Sequence, residues 1–240
     1  MDWTAKRSCW LMALVLLLGQ IGCSEPMKTP DLLVNNAMLR QRGYDAINAG
    51  DLPGAREQFT LAVERKPGDA IAWYYLGTMQ LKLDQPLDAE LSLGRALALE
   101  PADAELTPRI LNRLAQAIYV QKRYDNLVTF LEETAQESNL TSDYLRQAHY
   151  LVKLGDPDGA VVAYRKGAFF APLGDAQPYV ELADYYLSIN DTKTATLAMR
   201  YAYHENPDYP SLANRFRQIG LVPGPTLGIK PPKPQVLDAR

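Results

Sequence analysis

Five times along this chain a small residue, a second position twelve residues on, a large apolar residue four further and another position three further return together. The sets are Gly43, Ala55, Phe59, Ala62; Gly77, Ala89, Leu93, Ala96; Ala115, Leu127, Leu131, Thr134; Ala148, Ala160, Tyr164, Gly167; and Ala183, Ala195, Met199, Ala202. Pro67, Pro101, Pro172 and Pro207 close all but the third. Self-similarity at about 34 residues marks a stack of helix pairs, in which no unit can bury its apolar face alone and each buries it on its neighbours.

The spacing inside each set gives the elements. Trp73, Leu76 and Gly77 share one helical face, as do Leu111, Leu114, Ala115 and Ile118, or Tyr179, Leu182, Ala183 and Tyr186. A short turn signal follows, such as Gly50-Asp51-Leu52-Pro53, Asp84-Gln85-Pro86 or Gly155-Asp156-Pro157. Asp before Pro suits a helix start, because the carboxylate accepts orphan N–H groups and Pro tolerates the first helical positions. Each unit is therefore expected to be helix, turn, helix. Its two small residues let the backbones come close, and the bulky residue four positions after the second fills the gap toward the next unit.

The pattern resembles the tetratricopeptide repeat family, whose signature runs W-x2-L-G-x2-Y, then A-x3-F, then P. Trp73-x2-Leu76-Gly77 with Ala89, Leu93 and Pro101 carries the match best, with Gln80 where the family has an aromatic. The resemblance covers roughly residues 36–209 and implies an all-α, right-handed superhelical solenoid of about five helix-turn-helix repeats plus a C-terminal capping helix. Repeats are expected near 36–69, 70–103, 108–140, 141–174 and 176–209. The third is irregular: about four extra residues within 102–107 lengthen the loop before it, and Leu127 replaces a small residue opposite Ala115. Its helices are expected to stand further apart. Leu212, Phe216 and Ile219 space a capping helix ended by Gly220. Residues 222–240 hold five prolines and are expected to form an extended, mobile tail.

At the other end, Lys6 and Arg7 precede an apolar run over residues 9–19, the layout of a secretory leader ending near residue 22. At about 11 residues the run is short for a membrane span, which needs roughly 20. Gly22-Cys23 after an apolar stretch resembles the lipobox of bacterial lipoproteins, with Gln20 where Leu is usual. That resemblance implies a lipidated Cys23 as first mature residue and a tether over residues 23–35. It also implies, through Ser24, an exported protein held at the outer membrane, facing the periplasm. Cys9 and Cys23 are the only cysteines, and Cys9 would leave with the leader, so no internal disulfide can form.

Composition excludes some functions. Without Asp2, Lys6 and Arg7 the chain has 23 basic and 27 acidic residues, a charge of about −4, against general nucleic-acid binding. The two histidines, His149 and His204, fall in different units without ligand spacing, and no metal, phosphate-loop or nucleophile motif occurs. No catalysis, cofactor or metal is expected.

In the resembled family the first helix of every unit lines a concave groove. The resemblance then assigns Arg40, Gln41 and Tyr44 to it from the first unit, and Tyr74, Tyr75 and Thr78 from the second. Arg109, Asn112, Arg113, Gln116 and Tyr119 come from the third, Arg146 and His149 from the fourth, and Glu181 and Asp184 from the fifth. The groove is expected to run from basic and aromatic to acidic. Some members of the family clamp a peptide's terminal carboxylate with basic residues and Asn. Arg40, Arg109 and Arg113 fall on three of the basic positions, but Tyr44 and Tyr75 occupy the two Asn ones, so that ligand is not carried over. Guanidinium forks and rigid tyrosines suit a protein or peptide with acidic residues. Three roles stay open: an envelope adaptor, a structural part of an outer-membrane, pilus or secretion assembly, and a periplasmic holder for a cell-wall or polysaccharide enzyme.

Overall fold

The structure is a computed structural model that describes residues 35–99, 105–224 and 226–232. The expected leader, Cys23, Pro101 and the end of the tail lie outside the described residues. Eleven helices and no strand make up the described residues. They are α1 (Asn36–Asn48), α2 (Leu52–Arg65), α3 (Ala70–Lys82), α4 (Pro86–Ala98), α5 (Leu106–Val120), α6 (Tyr124–Ser138), α7 (Thr141–Leu154), α8 (Pro157–Phe170), α9 (Gln177–Ser188), α10 (Thr192–Glu205) and α11 (Leu212–Gln218). Each packs on the next in sequence, and the first helices of neighbouring units also meet, α3 on α5 and α5 on α7. The result is an all-α helical-repeat solenoid with five helix pairs and a cap.

Close backbone approach explains the small residues. A Cβ on Gly77 would stand 2.6 Å from Leu93 Cγ and 3.1 Å from the Ala89 carbonyl oxygen, and one on Gly43 would stand 2.6 Å from the Phe59 ring. Ala55, Ala89, Ala148, Ala160, Ala183 and Ala195 fill the same seam and are fully buried. Within every unit the turn needs one left-handed residue: Gly50, Asp84, Lys122, Gly155 and Asn190 take it, with φ between 58° and 78°. Asp51 and Asp156 then cap α2 and α8, accepting from Gly54 N and Gly159 N at 2.9 Å. Asp84 instead supplies the left-handed turn residue, and Gln85 makes no side-chain cap before Pro86.

Between units the cap does more. Asp69 accepts from Ala72 N at 3.0 Å at the start of α3, and from Asn36 Nδ2 at 2.5 Å and Arg40 Nη1 at 3.4 Å on α1. One carboxylate thus fastens the first unit to the second. Asp69→Ala is expected to lower unfolding free energy by about 2 kcal/mol, the upper end for a helix cap. Asp69→Asn keeps the cap and should cost less than half as much. Urea unfolding of the two variants checks the order.

The third unit departs from its neighbours in two ways. Its first helix begins at Leu106, before the expected start at 108, so part of the extra sequence lengthens the helix instead of the loop. Leu106 is buried with Leu93, Ala96 and Ile110, which fixes that early start. Leu127 is fully buried beside Ala115, and α5 and α6 approach each other along much less of their length than the pairs of the other units.

The C-terminal end corrects an expectation. Leu212 and Phe216 of α11 cap the last core patch, and Gly220 (φ +79°) ends the helix as its position suggests. The chain beyond is not a free tail through residue 229. Leu221 and Leu227 pack on the same core patch, Arg200 Nε donates to the Leu227 carbonyl at 2.9 Å, and Ile229 N donates to the Arg200 carbonyl at 3.2 Å. Among the described residues no further helix pair stacks there, and this segment covers apolar surface on α10 that would otherwise face water.

Candidate partner-binding face

Because α3 meets α5 and α5 meets α7, the first helices of the second to fourth units make one continuous face, which Tyr44 of α1 joins through Tyr75, and the fifteen residues assigned to the groove divide into three kinds. Some are sealed in the stack. Tyr74 and Thr78 are buried, Thr78 Oγ1 donating to the Tyr74 carbonyl at 2.8 Å. Arg146 is also buried, which corrects its placement as a groove contact. Its Nη2 lies 2.7 Å from Asp143 Oδ1, its Nε donates to Asn112 Oδ1 at 2.6 Å, and Ser138 Oγ donates to Asp143 Oδ2 at 2.5 Å. Burial lowers the Arg146 pKa and Asp143 opposes that shift. The arginine ties α7 to α5.

A second group is engaged within the chain. Arg40 turns back to Asp69, Gln41 donates to Asp45 at 2.9 Å, and Gln177 Nε2 donates to Glu181 Oε1 at 2.9 Å. Asp184 pairs with Arg215 of the capping helix. The expected acidic end of the groove is weaker than the sequence suggests, because its outermost carboxylate already holds a guanidinium. Glu181 and Asp184 still act on buried Tyr164, whose hydroxyl is pushed up to about 12, first by burial and then by these carboxylates.

The third group is what a visitor would meet. Phe59 and Tyr75 stack with ring centroids 5.2 Å apart, and Tyr44 sets its ring against both. Burial, then Tyr75, raises the Tyr44 pKa. Exposed Arg109 lies 5.0 Å over the Tyr74 ring and 3.5 Å from Tyr75 Oη, which holds its pKa above the usual value. Half-buried Arg113 donates to Gln116 Oε1 at 2.8 Å, one turn along α5. Next comes a second station that sequence reasoning missed. Lys153 Nζ lies 5.0 Å from the Tyr150 ring centroid and 5.7 Å from that of Tyr119. Lys153 stands four residues after His149, one turn along the same face of α7, and that spacing was its available signal. Partial burial and then Lys153 lower the His149 pKa. Aromatic rings under free cations are attractive by cation–π geometry and keep the charged edges presented outward.

Among the described residues no group of three or more His, Cys, Asp or Glu could hold a metal ion, and no helix is long and apolar enough to cross a membrane.

Comparison with known proteins places this geometry. Residues 40–104 match the family model described as tetratricopeptide repeat, TPR_16. The fold is similar to a crystal structure of MamA protein at 18% identity, covering 79% of this chain and 98% of that one with a TM-score of 0.51. It is also similar to TTC0263, a thermophilic TPR protein of Thermus thermophilus, at 18% identity, 77% and 98% coverage and a TM-score of 0.50. The pilF protein of Pseudomonas aeruginosa matches at 18% identity, 77% and 84% coverage and a TM-score of 0.50. At such identities the likeness is one of fold, an all-α solenoid of stacked helix pairs, and the tetratricopeptide-repeat match itself covers residues 40–104.

Proposed function

We propose that the chain is a non-catalytic protein-interaction scaffold whose first-helix face seats an extended acidic peptide against Arg109, Arg113 and Lys153. The observation that carries this reading is the pair of cation-on-tyrosine stations on one continuous face, Arg109 over Tyr74 and Lys153 over Tyr119 and Tyr150. Carboxylates gain charge-assisted hydrogen bonds there, and Tyr44, Tyr75 and Tyr119 supply rigid contact area with polar tips. Arg40 and Arg146 take no part, since Asp69 and Asp143 already hold them.

The test is anisotropy of a fluorescein-labelled, glutamate-rich decapeptide titrated with the protein. Arg109→Glu with Arg113→Glu is expected to weaken binding at least tenfold, since each lost charged contact is worth about 1.5 kcal/mol or more. The melting temperature should move little, because Arg109 is exposed and half-buried Arg113 bonds only within its own helix, to Gln116. Equal affinity of parent and variant overturns the reading.

Export and lipidation at Cys23 belong to the same proposal. The support is the run of Lys6, Arg7, an apolar stretch and Gly22-Cys23. Mass spectrometry of the cellular protein checks it, and an unmodified Cys23 in a chain that keeps its leader counts against it.

A further inference from the structure

One edge of the solenoid carries the loops between units, and its chemistry changes along the stack. Between α2 and α3 the loop is Lys66-Pro67-Gly68-Asp69, and between α10 and α11 it runs through Asn206, Pro207 and Asp208. Both are polar. At the fourth unit the edge is apolar instead. Leu140 at the start of α7, Phe169 and Phe170 at the end of α8, and Leu173 in the next loop are all exposed, Leu173 at 101% and Phe169 at 51%. Thr141 Oγ1 donates to the Gly167 carbonyl at 3.2 Å, which brings the start of α7 and the end of α8 together. Phe170 stacks on buried Tyr144 at 5.3 Å and 3°, and Phe169 sets its ring edge-on to Phe170 at 4.9 Å. The aromatic tip is therefore braced from behind while its outer surface faces water.

We propose that this tip is an interfacial membrane contact that dips into an anionic lipid surface. The charge pattern behind it selects that occupant. Arg165 and Lys166 are exposed on α8, each four residues before Phe169 and Phe170. Four residues are about 6 Å of helix rise, and interfacial elements sink about 5–10 Å into the boundary between headgroups and acyl chains. A tip at that depth sets both cations among the lipid phosphates. Asp158 lies a further two turns back, away from the surface. Of the acidic residues nearer the tip, Asp175 is turned to Gln177 N at 2.9 Å, Glu205 accepts from Gly174 N at 3.4 Å, and Glu137 stands on α6. A fully exposed leucine on a protruding loop also suits fluid hydrocarbon, whereas a folded partner would have to offer a matching pocket. The contact is separate from the proposed peptide face and from any lipid on Cys23.

The experiment uses the full chain with Cys9→Ser and Cys23→Ser, which removes the native thiols. An environment-sensitive dye is placed at Leu173→Cys, or as a control at Asn190→Cys in a turn of the opposite edge. Vesicles are phosphatidylcholine with or without phosphatidylglycerol, and brominated lipid is the quencher. The expected result is at least twofold quenching at position 173 with phosphatidylglycerol present and little at position 190. Adding Arg165→Glu and Lys166→Glu should cut the tip signal about tenfold, given roughly a kcal/mol per basic residue at such a surface. Equal quenching at both positions, no quenching at 173, or quenching indifferent to phosphatidylglycerol or to the charge reversal overturns the proposal. So does a spectral shift at 173 that needs no vesicles and grows with protein concentration, which would mean that a second copy covers the tip.

Discussion

Arg146→Ala is expected to lower the free energy of unfolding by about 3–5 kcal/mol, the cost of leaving one member of a buried ion pair alone. The side chains of Arg146 and Asp143 are 3% and 2% exposed, so water cannot take the place of the lost guanidinium. Ser138 would remain the single strong donor to Asp143, and Asn112 would lose its bond across the units. Removing both charges is a different matter. Arg146→Met with Asp143→Leu should recover most of the loss, because a buried pair roughly balances its own desolvation and an apolar pair of similar size does not have to. Urea unfolding followed by circular dichroism separates the two, provided the slope stays constant. A loss below about 1 kcal/mol for Arg146→Ala would mean that the pair is hydrated. Peptide affinity adds a second readout. If Arg146 only ties α7 to α5, the double variant should bind the glutamate-rich peptide as the parent does.

That arginine also shows how far residues alone could reach. Helical periodicity places position 146 on the same face as Arg113 and His149, and face is all that periodicity can state. Whether a position on that face is open depends on the distance to the next helix, which is a property of the stack. Asp143, three residues earlier, was the local clue: opposite charges at that spacing can serve each other. The small seam residues were legible because their requirement is local and strict. Gly77 has no room for a Cβ, and no other residue type meets that need. The seat of Leu227 and Ile229 on α10 was hidden for the opposite reason. Prolines in the tail predict an extended chain, and an extended chain can lie on a helix as readily as in water. Only Leu221 and Leu227, spaced to meet the exposed end of the last core patch, point to the docked form.

Leu127→Ala gives the test in which pattern and packing disagree most. Ala55, Ala89, Ala160 and Ala195 hold the matching position in the other units, so the substitution looks like a repair of the repeat. Packing argues that it damages the core by about 2–5 kcal/mol, the usual range for deleting a buried leucine. Leu127 is fully buried between Ala115, Ile118, Leu131 and Tyr150, and fills the extra space between α5 and α6. The cost depends on whether α6 can close that space. It is held on the far side, where Val128 packs on the core patch of the fourth and fifth units and Ala135 is buried near its end. On its near side Ala115 offers no side chain long enough to follow the gap inward. A helix pinned to its successor cannot move toward its partner without opening a second cavity, so the void stays. Thermal and urea unfolding of the variant decide the matter. A loss under about 1 kcal/mol would show that α6 does slide inward, and that the spread of the third unit is a consequence of Leu127 and not of the way the fourth unit holds it.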